Sequence, residues 1–159
     1  MPIKLQLNDQ APDFSLPDQN NTKHSLAQYR GQWILLYFYP KDDTPGCTKE
    51  ACTIRDNYSA FKKNGVVVLG VSVDSVASHG KFVKKYDLPF TILADSEKQV
   101  ATAYGVWGKK KFMGREYLGT NRTSFLINPQ GKIAKIYPQV KPAEHAEEVL
   151  ADVRELSNK

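Results

Sequence analysis

The sequence has no apolar run approaching the ~20 residues that cross a bilayer; its longest, residues 33–39, has the length of a strand. Its first residues lack the apolar stretch and small-residue cleavage site of a secretory leader. The expected location is therefore the cytoplasm, or an organelle stroma if a transit peptide has been removed, with no membrane partner. Internal repeats, low-complexity tracts and Pro/Gly/Ser-rich linkers are also missing, which predicts a single domain spanning residues 1–159. Histidine is scarce, and His24, His79 and His145 lie too far apart to give a zinc-ligand pattern with only two cysteines. The C-x-x-C pair of an ordinary thioredoxin is absent. The net charge of +5 comes from scattered cations with one local cluster, Lys109, Lys110, Lys111 and Arg115, interleaved with Phe112 and Tyr117. That run reads as a solvated basic loop rather than a nucleic-acid surface.

What the chain does have is Cys47 and Cys52, five residues apart. A structural disulfide there would close a loop so small that its entropic gain is minimal. Two inert buried thiols are the plain alternative, and the surroundings argue against it. Cys47 follows the turn-forming stretch Lys41-Asp42-Asp43-Thr44-Pro45-Gly46, directly after the apolar strand. Beyond it, Ala51, Ile54, Tyr58 and Phe61 recur at helical spacing and lie within about 40° of the direction of Cys47. Cys47 thus falls in the first turn of a helix on its buried stripe. Cys52 points about 140° away, toward the polar face with Arg55, Asp56, Ser59 and Lys63. Unpaired N–H groups and the positive dipole end at a helix N-terminus stabilise an anion. The thiolate is the form of cysteine that attacks a peroxide, a disulfide or a metal.

The remaining pattern supplies a scaffold. Strands are expected at 33–39, 66–73 and 91–94, with a hairpin of 123–127 and 132–137 around Asn128-Pro129-Gln130-Gly131. Helices are expected from Cys47 to about Lys63, from Ser75 or Ser78 to Tyr86, over 97–104, and from Pro142 onward with the stripe Ala146, Val149, Leu150, Val153 and Leu156. This β-α-β-α-β-α-β-β-α order calls for an α/β protein of thioredoxin-like fold, a mixed central sheet with helices on both faces. Turn signals at 17–21 predict an N-terminal β-hairpin extension.

The stretch Phe38-Tyr39-Pro40-Lys41-Asp42-Asp43-Thr44-Pro45-Gly46-Cys47-Thr48-Lys49-Glu50-Ala51-Cys52 resembles the active-site segment of peroxiredoxins, with their P-x-x-x-T-x-x-C signature at Pro40, Thr44 and Cys47. The second cysteine resembles the bacterioferritin-comigratory-protein and peroxiredoxin Q subfamily, of the atypical two-cysteine kind. Ala11-Pro12-Asp13-Phe14 and Arg122-Thr123-Ser124-Phe125-Leu126-Ile127 extend the likeness along nearly the whole chain.

The resemblance implies a thiol peroxidase for hydrogen peroxide and organic hydroperoxides. Cys47 is then the peroxidatic residue and Cys52 the resolving one, joined in a redox disulfide that thioredoxin reopens. Arg122 and Thr44 would donate hydrogen bonds to the peroxide, with the Cys47 backbone N–H completing the set. Pro40 would shield the thiolate, Gly46 would support the turn, and Glu50 would orient Arg122. No metal, flavin or haem is implied, and the subfamily implies a monomer. Two other functions remain open at this level, a non-catalytic redox sensor and a general disulfide oxidoreductase.

Overall fold

Residues 33–38 carry β-branched, leucine and aromatic side chains on alternate sides, and they form the central strand of the sheet. In the computed structural model, which describes residues 4–157, the strands are β1 (Ser15–Pro17), β2 (Lys23–Ser25), β3 (Trp33–Phe38), β4 (Val66–Ser72), β5 (Thr91–Ala94), β6 (Trp107–Phe112), β7 (Arg115–Thr120), β8 (Thr123–Ile127) and β9 (Ile133–Tyr137). The helices are α1 (Pro45–Asp56), α2 (Tyr58–Lys63), α3 (Val76–Tyr86), α4 (Gln99–Ala103) and α5 (His145–Ser157). Residues 1–3, part of the N-terminal stretch tested above for a leader, lie outside the described residues.

The five-stranded sheet runs β5-β4-β3-β8-β9, with β3, β4 and β5 parallel and β8 and β9 antiparallel. It separates two apolar cores. Leu35, Tyr37 and Tyr39 point into one, with Cys47, Ala51 and Ile54 of α1, Phe61 of α2, Phe82 of α3 and Val149 of α5. Ile34, Leu36 and Phe38 point into the other, with Val100 and Ala101 of α4 and the N-terminal residues Phe14 and Leu26. Helices therefore cover both faces, as the element order required. Each fully buried aliphatic or aromatic side chain contributes roughly 1.5–3 kcal/mol, and α1 buries such a stripe, which holds the helix bearing Cys47 against β3. The N-terminal hairpin is β1 with β2, closed by Asp18 Oδ1, which accepts the Asn20 and Thr22 N–H groups at 2.8 and 2.9 Å.

Several element ends shift by a residue or two, and three larger differences from the sequence pattern stand out. The helix expected from Cys47 to about Lys63 is broken at Asn57, whose side-chain amide donates to the Thr53 carbonyl at 2.8 Å and competes with helix continuation. Pro142 lies in the turn before α5 rather than in its first turn. The basic run at 109–115 is not a loop: β6 and β7 pair in register from Trp107↔Thr120 to Phe112↔Arg115. Met113 and Gly114 take positive φ (51° and 79°) between them, the backbone of a tight hairpin turn.

Candidate active site

The segment between β3 and α1 is tied down before the cysteine is reached. Asp42, nearly fully buried, accepts the Tyr39 hydroxyl at 2.5 Å through Oδ1 and the Ser78 hydroxyl at 2.8 Å through Oδ2. The same Oδ2 meets His79 Nδ1 at 2.6 Å, while His79 Nε2 donates to the Leu93 carbonyl at 2.9 Å. Asp74 accepts the Asp42 N–H at 2.8 Å and the Ser72 hydroxyl at 2.7 Å. Asp42, Asp74 and His79 are grouped closely enough to resemble a metal site. Their engaged atoms face protein donors and acceptors, so the cluster acts as an anchor for the loop. The following residue, Asp43, holds a left-handed backbone (φ 55°) and pairs with Lys85 at 2.8 Å.

The chain then enters α1 with Thr44 in the N-cap position, Pro45 in the first turn and Cys47 just behind. An N-cap threonine ordinarily accepts an N–H of the first turn through its hydroxyl. Here the hydroxyl instead donates to the Lys41 carbonyl at 2.9 Å, and no side chain caps the helix. The first-turn N–H groups, including that of Cys47, therefore keep no side-chain partner. The resemblance implies a donor at Thr44; in the structure its hydroxyl proton is directed to the Lys41 carbonyl.

Cys47 is a free thiol, 2% exposed. Arg122, immediately before β8, lies over it, and its guanidinium also donates from Nη1 to Glu50 Oε1 at 3.0 Å. Burial lowers the Arg122 pKa, but the charges of Cys47 and Glu50 facing it, with hydrogen bonds to both, outweigh that and raise it. Glu50 is fully buried, and desolvation pushes its pKa up to about 7 despite the opposing charge and hydrogen bond of Arg122. Gly46 is required by this packing: a Cβ there would stand 2.7 Å from Arg122 Nη2. Pro40, half-buried, ends the strand on the approach to the loop.

The structure thus brings together Cys47, Gly46 and Glu50 around the Arg122 guanidinium, with Thr44 at the N-cap of the same helix. Cys52 is also a free thiol in α1, half-buried, with Arg55 as a charged neighbour. Sequence reasoning missed the Asp42 anchor, because its partners other than Tyr39 lie 32 to 37 residues away. It missed Lys110 as well. That side chain crosses Gly119 to donate to the Thr120 carbonyl at 2.9 Å, half-buried with Arg122 and Cys47 among the charges around it. Among the described residues, no helix is long and apolar enough to cross a membrane.

Comparison with known proteins agrees with this geometry. The sequence profile described as the AhpC/TSA family matches residues 7–136. Peroxiredoxin Bcp of Bacillus subtilis is 43% identical over 157 residues, covering 99% of this chain and all of the relative. Peroxiredoxin Bcp of Escherichia coli is 46% identical over 151 residues, 95% of this chain and 97% of that protein. In three dimensions the chain superposes on Xanthomonas campestris bacterioferritin comigratory protein, studied for alkyl peroxide reduction, with a TM-score of 0.88 and 35% identity. That match covers 98% of this chain and 99% of the other. On sequence and fold together, the chain belongs to the AhpC/TSA family, in its peroxiredoxin Bcp and peroxiredoxin Q branch.

Proposed function

We propose that this protein reduces hydrogen peroxide and organic hydroperoxides, with Cys47 as nucleophile and Cys52 as the resolving thiol. The observation that carries the reading is the Arg122 guanidinium over a buried Cys47 in a helix turn left uncapped. The Cys47 thiolate attacks one peroxide oxygen and the O–O bond breaks, leaving a sulfenic acid on Cys47 and hydroxide or alkoxide as leaving group. Arg122 and the Cys47 N–H are the donors for the oxygen on which charge develops, and the Thr44 lone pairs accept the peroxide hydrogen. Pro40 limits water access to the sulfur. The leaving group takes a proton from solvent. Cys52 then attacks the sulfenic sulfur, water departs, and a disulfide remains. A dithiol protein of the thioredoxin type exchanges with that disulfide and restores both thiols. The unit spanning residues 1–159 acts as one domain, a monomer in the cytoplasm.

Turnover with thioredoxin, thioredoxin reductase and NADPH tests the proposal. Sustained peroxide loss is expected; a redox sensor would be oxidised once and stop. Reduction of insulin without peroxide would instead favour a general disulfide oxidoreductase. Cys52→Ser is expected to consume about one equivalent of peroxide per chain and then stall as a sulfenic acid open to further oxidation. Intact mass after one equivalent, with no other thiol present, reads that state, and a variant that ends without a sulfenic acid or its further oxidation products would remove Cys52 from the cycle.

Resolution also demands a change of shape. Both cysteines are in α1 with free thiols. Residues five apart in a helix have Cα atoms roughly 8.5 Å apart, whereas a disulfide spans only ~4.4–6.8 Å. At least one turn between Thr48 and Cys52 must melt as the bond forms. The missing cap weakens that end of the helix by roughly 1 kcal/mol, which favours opening there. Hydrogen exchange is expected to show lost protection around residues 48–56 in the oxidised protein, and equal protection in both states would contradict intrachain pairing.

A further inference from the structure

In the core layer that holds Cys47 and Tyr37, two buried side-chain atoms have no protein hydrogen-bond partner: Oε2 of Glu50 and the hydroxyl of Tyr37. Glu50 is 0% and Tyr37 1% exposed. One is an acceptor and the other a donor, and a native core rarely leaves either unmatched. Their placement is specific. Tyr37 of β3 pairs in register with Gly70 of β4, and a Cβ on that glycine would lie 2.8 Å from the phenol Cζ and 2.9 Å from its oxygen. The glycine therefore makes room for the phenol at a level where a larger residue would exclude it. The ring is held on two sides, by Tyr39 at 5.5 Å and edge-on by Phe90 at 6.1 Å. Nothing on the apolar side of this pocket calls for a hydroxyl, and phenylalanine would fill the same space.

We infer that Tyr37 is a positioning residue of the peroxidase site, whose phenol donates to Glu50 Oε2 through one enclosed water and thereby holds the carboxylate that orients Arg122. The inference rests on the reading of Arg122 as the peroxide-holding group. Glu50 offers Oε1 to Arg122 and has Oε2 left over. Only an ionised Glu50 accepts at both oxygens, so a donor on Oε2 favours the form that grips Arg122. The charged groups around the phenol are Glu50 and Cys47 of α1, Asp42 of the preceding loop and Arg122 ahead of β8. Lys110 of β6 faces Arg122 and Cys47 from the hairpin side. Burial, followed by the charges of Glu50 and Cys47, raises the Tyr37 pKa well above its ordinary value, so the phenol keeps the proton that it donates.

The sign of the expected effect follows. Without the donor, burial drives Glu50 further toward its neutral form, and less of the enzyme has Arg122 held in place as pH falls. The test is Tyr37→Phe, followed by rapid mixing of the reduced enzyme with peroxide across pH 6–9. The wild-type to variant rate ratio is expected to climb from near unity at pH 9 to about 3- to 10-fold at pH 6. In a Glu50→Gln background, where residue 50 cannot titrate, adding Tyr37→Phe is expected to leave the pH dependence unchanged. A second readout needs no catalysis: Tyr37→Phe is expected to lower Tm at pH 9, because a bonded hydroxyl is lost. A hydroxyl without a partner would give a raised Tm on its removal, and that result overturns the inference. So does a rate ratio independent of pH, or the same pH shift with glutamine at position 50. An active Cys47→Ser would instead refute the site reading itself, so the two failures are separable.

Discussion

Cys47→Ser is expected to reduce peroxide turnover by more than about 1000-fold, over ~4 kcal/mol of barrier, toward the uncatalysed background. Serine is nearly isosteric and fits a position that is 2% exposed, so the fold should survive. What disappears is the chemistry: a hydroxyl in the same helix turn is not ionised at neutral pH, and the thiolate is the attacking species. Since the Cys47→Ser protein keeps Arg122, Glu50 and Thr44, its inactivity isolates the sulfur from the pocket around it. The check is the steady-state rate with the full reducing system, alongside a thermal melt showing an intact fold. Activity within tenfold of wild type would assign the reaction to Cys52 and remove Cys47 from the role of nucleophile.

Arg122→Ala is expected to slow the first oxidation step by ~100–1000-fold, the scale on which one preorganised donor to a developing oxyanion acts. The substitution removes the cation over the sulfur and the partner of Glu50 at once. Glu50 then has no counter-charge inside the core, and burial drives it to the neutral form at neutral pH. Arg122→Lys keeps the charge and is expected to recover part of the rate. An ammonium cannot present the planar fork with which a guanidinium grips a carboxylate and a peroxide together. Rapid mixing of reduced enzyme with peroxide, followed by tryptophan fluorescence or quenched thiol labelling, gives the rate. A wild-type value for Arg122→Ala would exclude the residue from the reaction.

These effects were unequally visible in the amino-acid string. The Cys47 helix was legible because Ala51, Ile54 and Phe61 repeat the period of a helix behind a turn carrying proline and glycine, and the structure buries all three. Its break at Asn57 was not, because it depends on the direction of one amide side chain. The β6–β7 hairpin escaped because its strands carry lysines in place of β-branched residues, and a Met-Gly turn is a weak signal beside Asn-Gly. Glu50 and Arg122 are 72 residues apart, so spacing could not join them and only the family likeness did. The Thr44 hydroxyl illustrates a further limit. Its position was evident, but which carbonyl takes its proton depends on the backbone of the loop, and only the fold shows that it is that of Lys41. Tyr37 read as one more apolar strand residue, and only the packing of its ring against Gly70 sets its oxygen apart.

In the proposed cycle one chain carries the whole oxidative half, from Cys47 through a sulfenic acid to a bond with Cys52. The most direct test is to give the reduced wild-type protein one equivalent of peroxide, block remaining thiols, and map the peptides by mass spectrometry without reduction. Expected are the loss of two hydrogens per chain, no reactive thiol left, and a single cross-linked species joining the peptides of Cys47 and Cys52 within one monomer. Two blocked free thiols alongside consumed peroxide, or disulfides found only between chains, would contradict it.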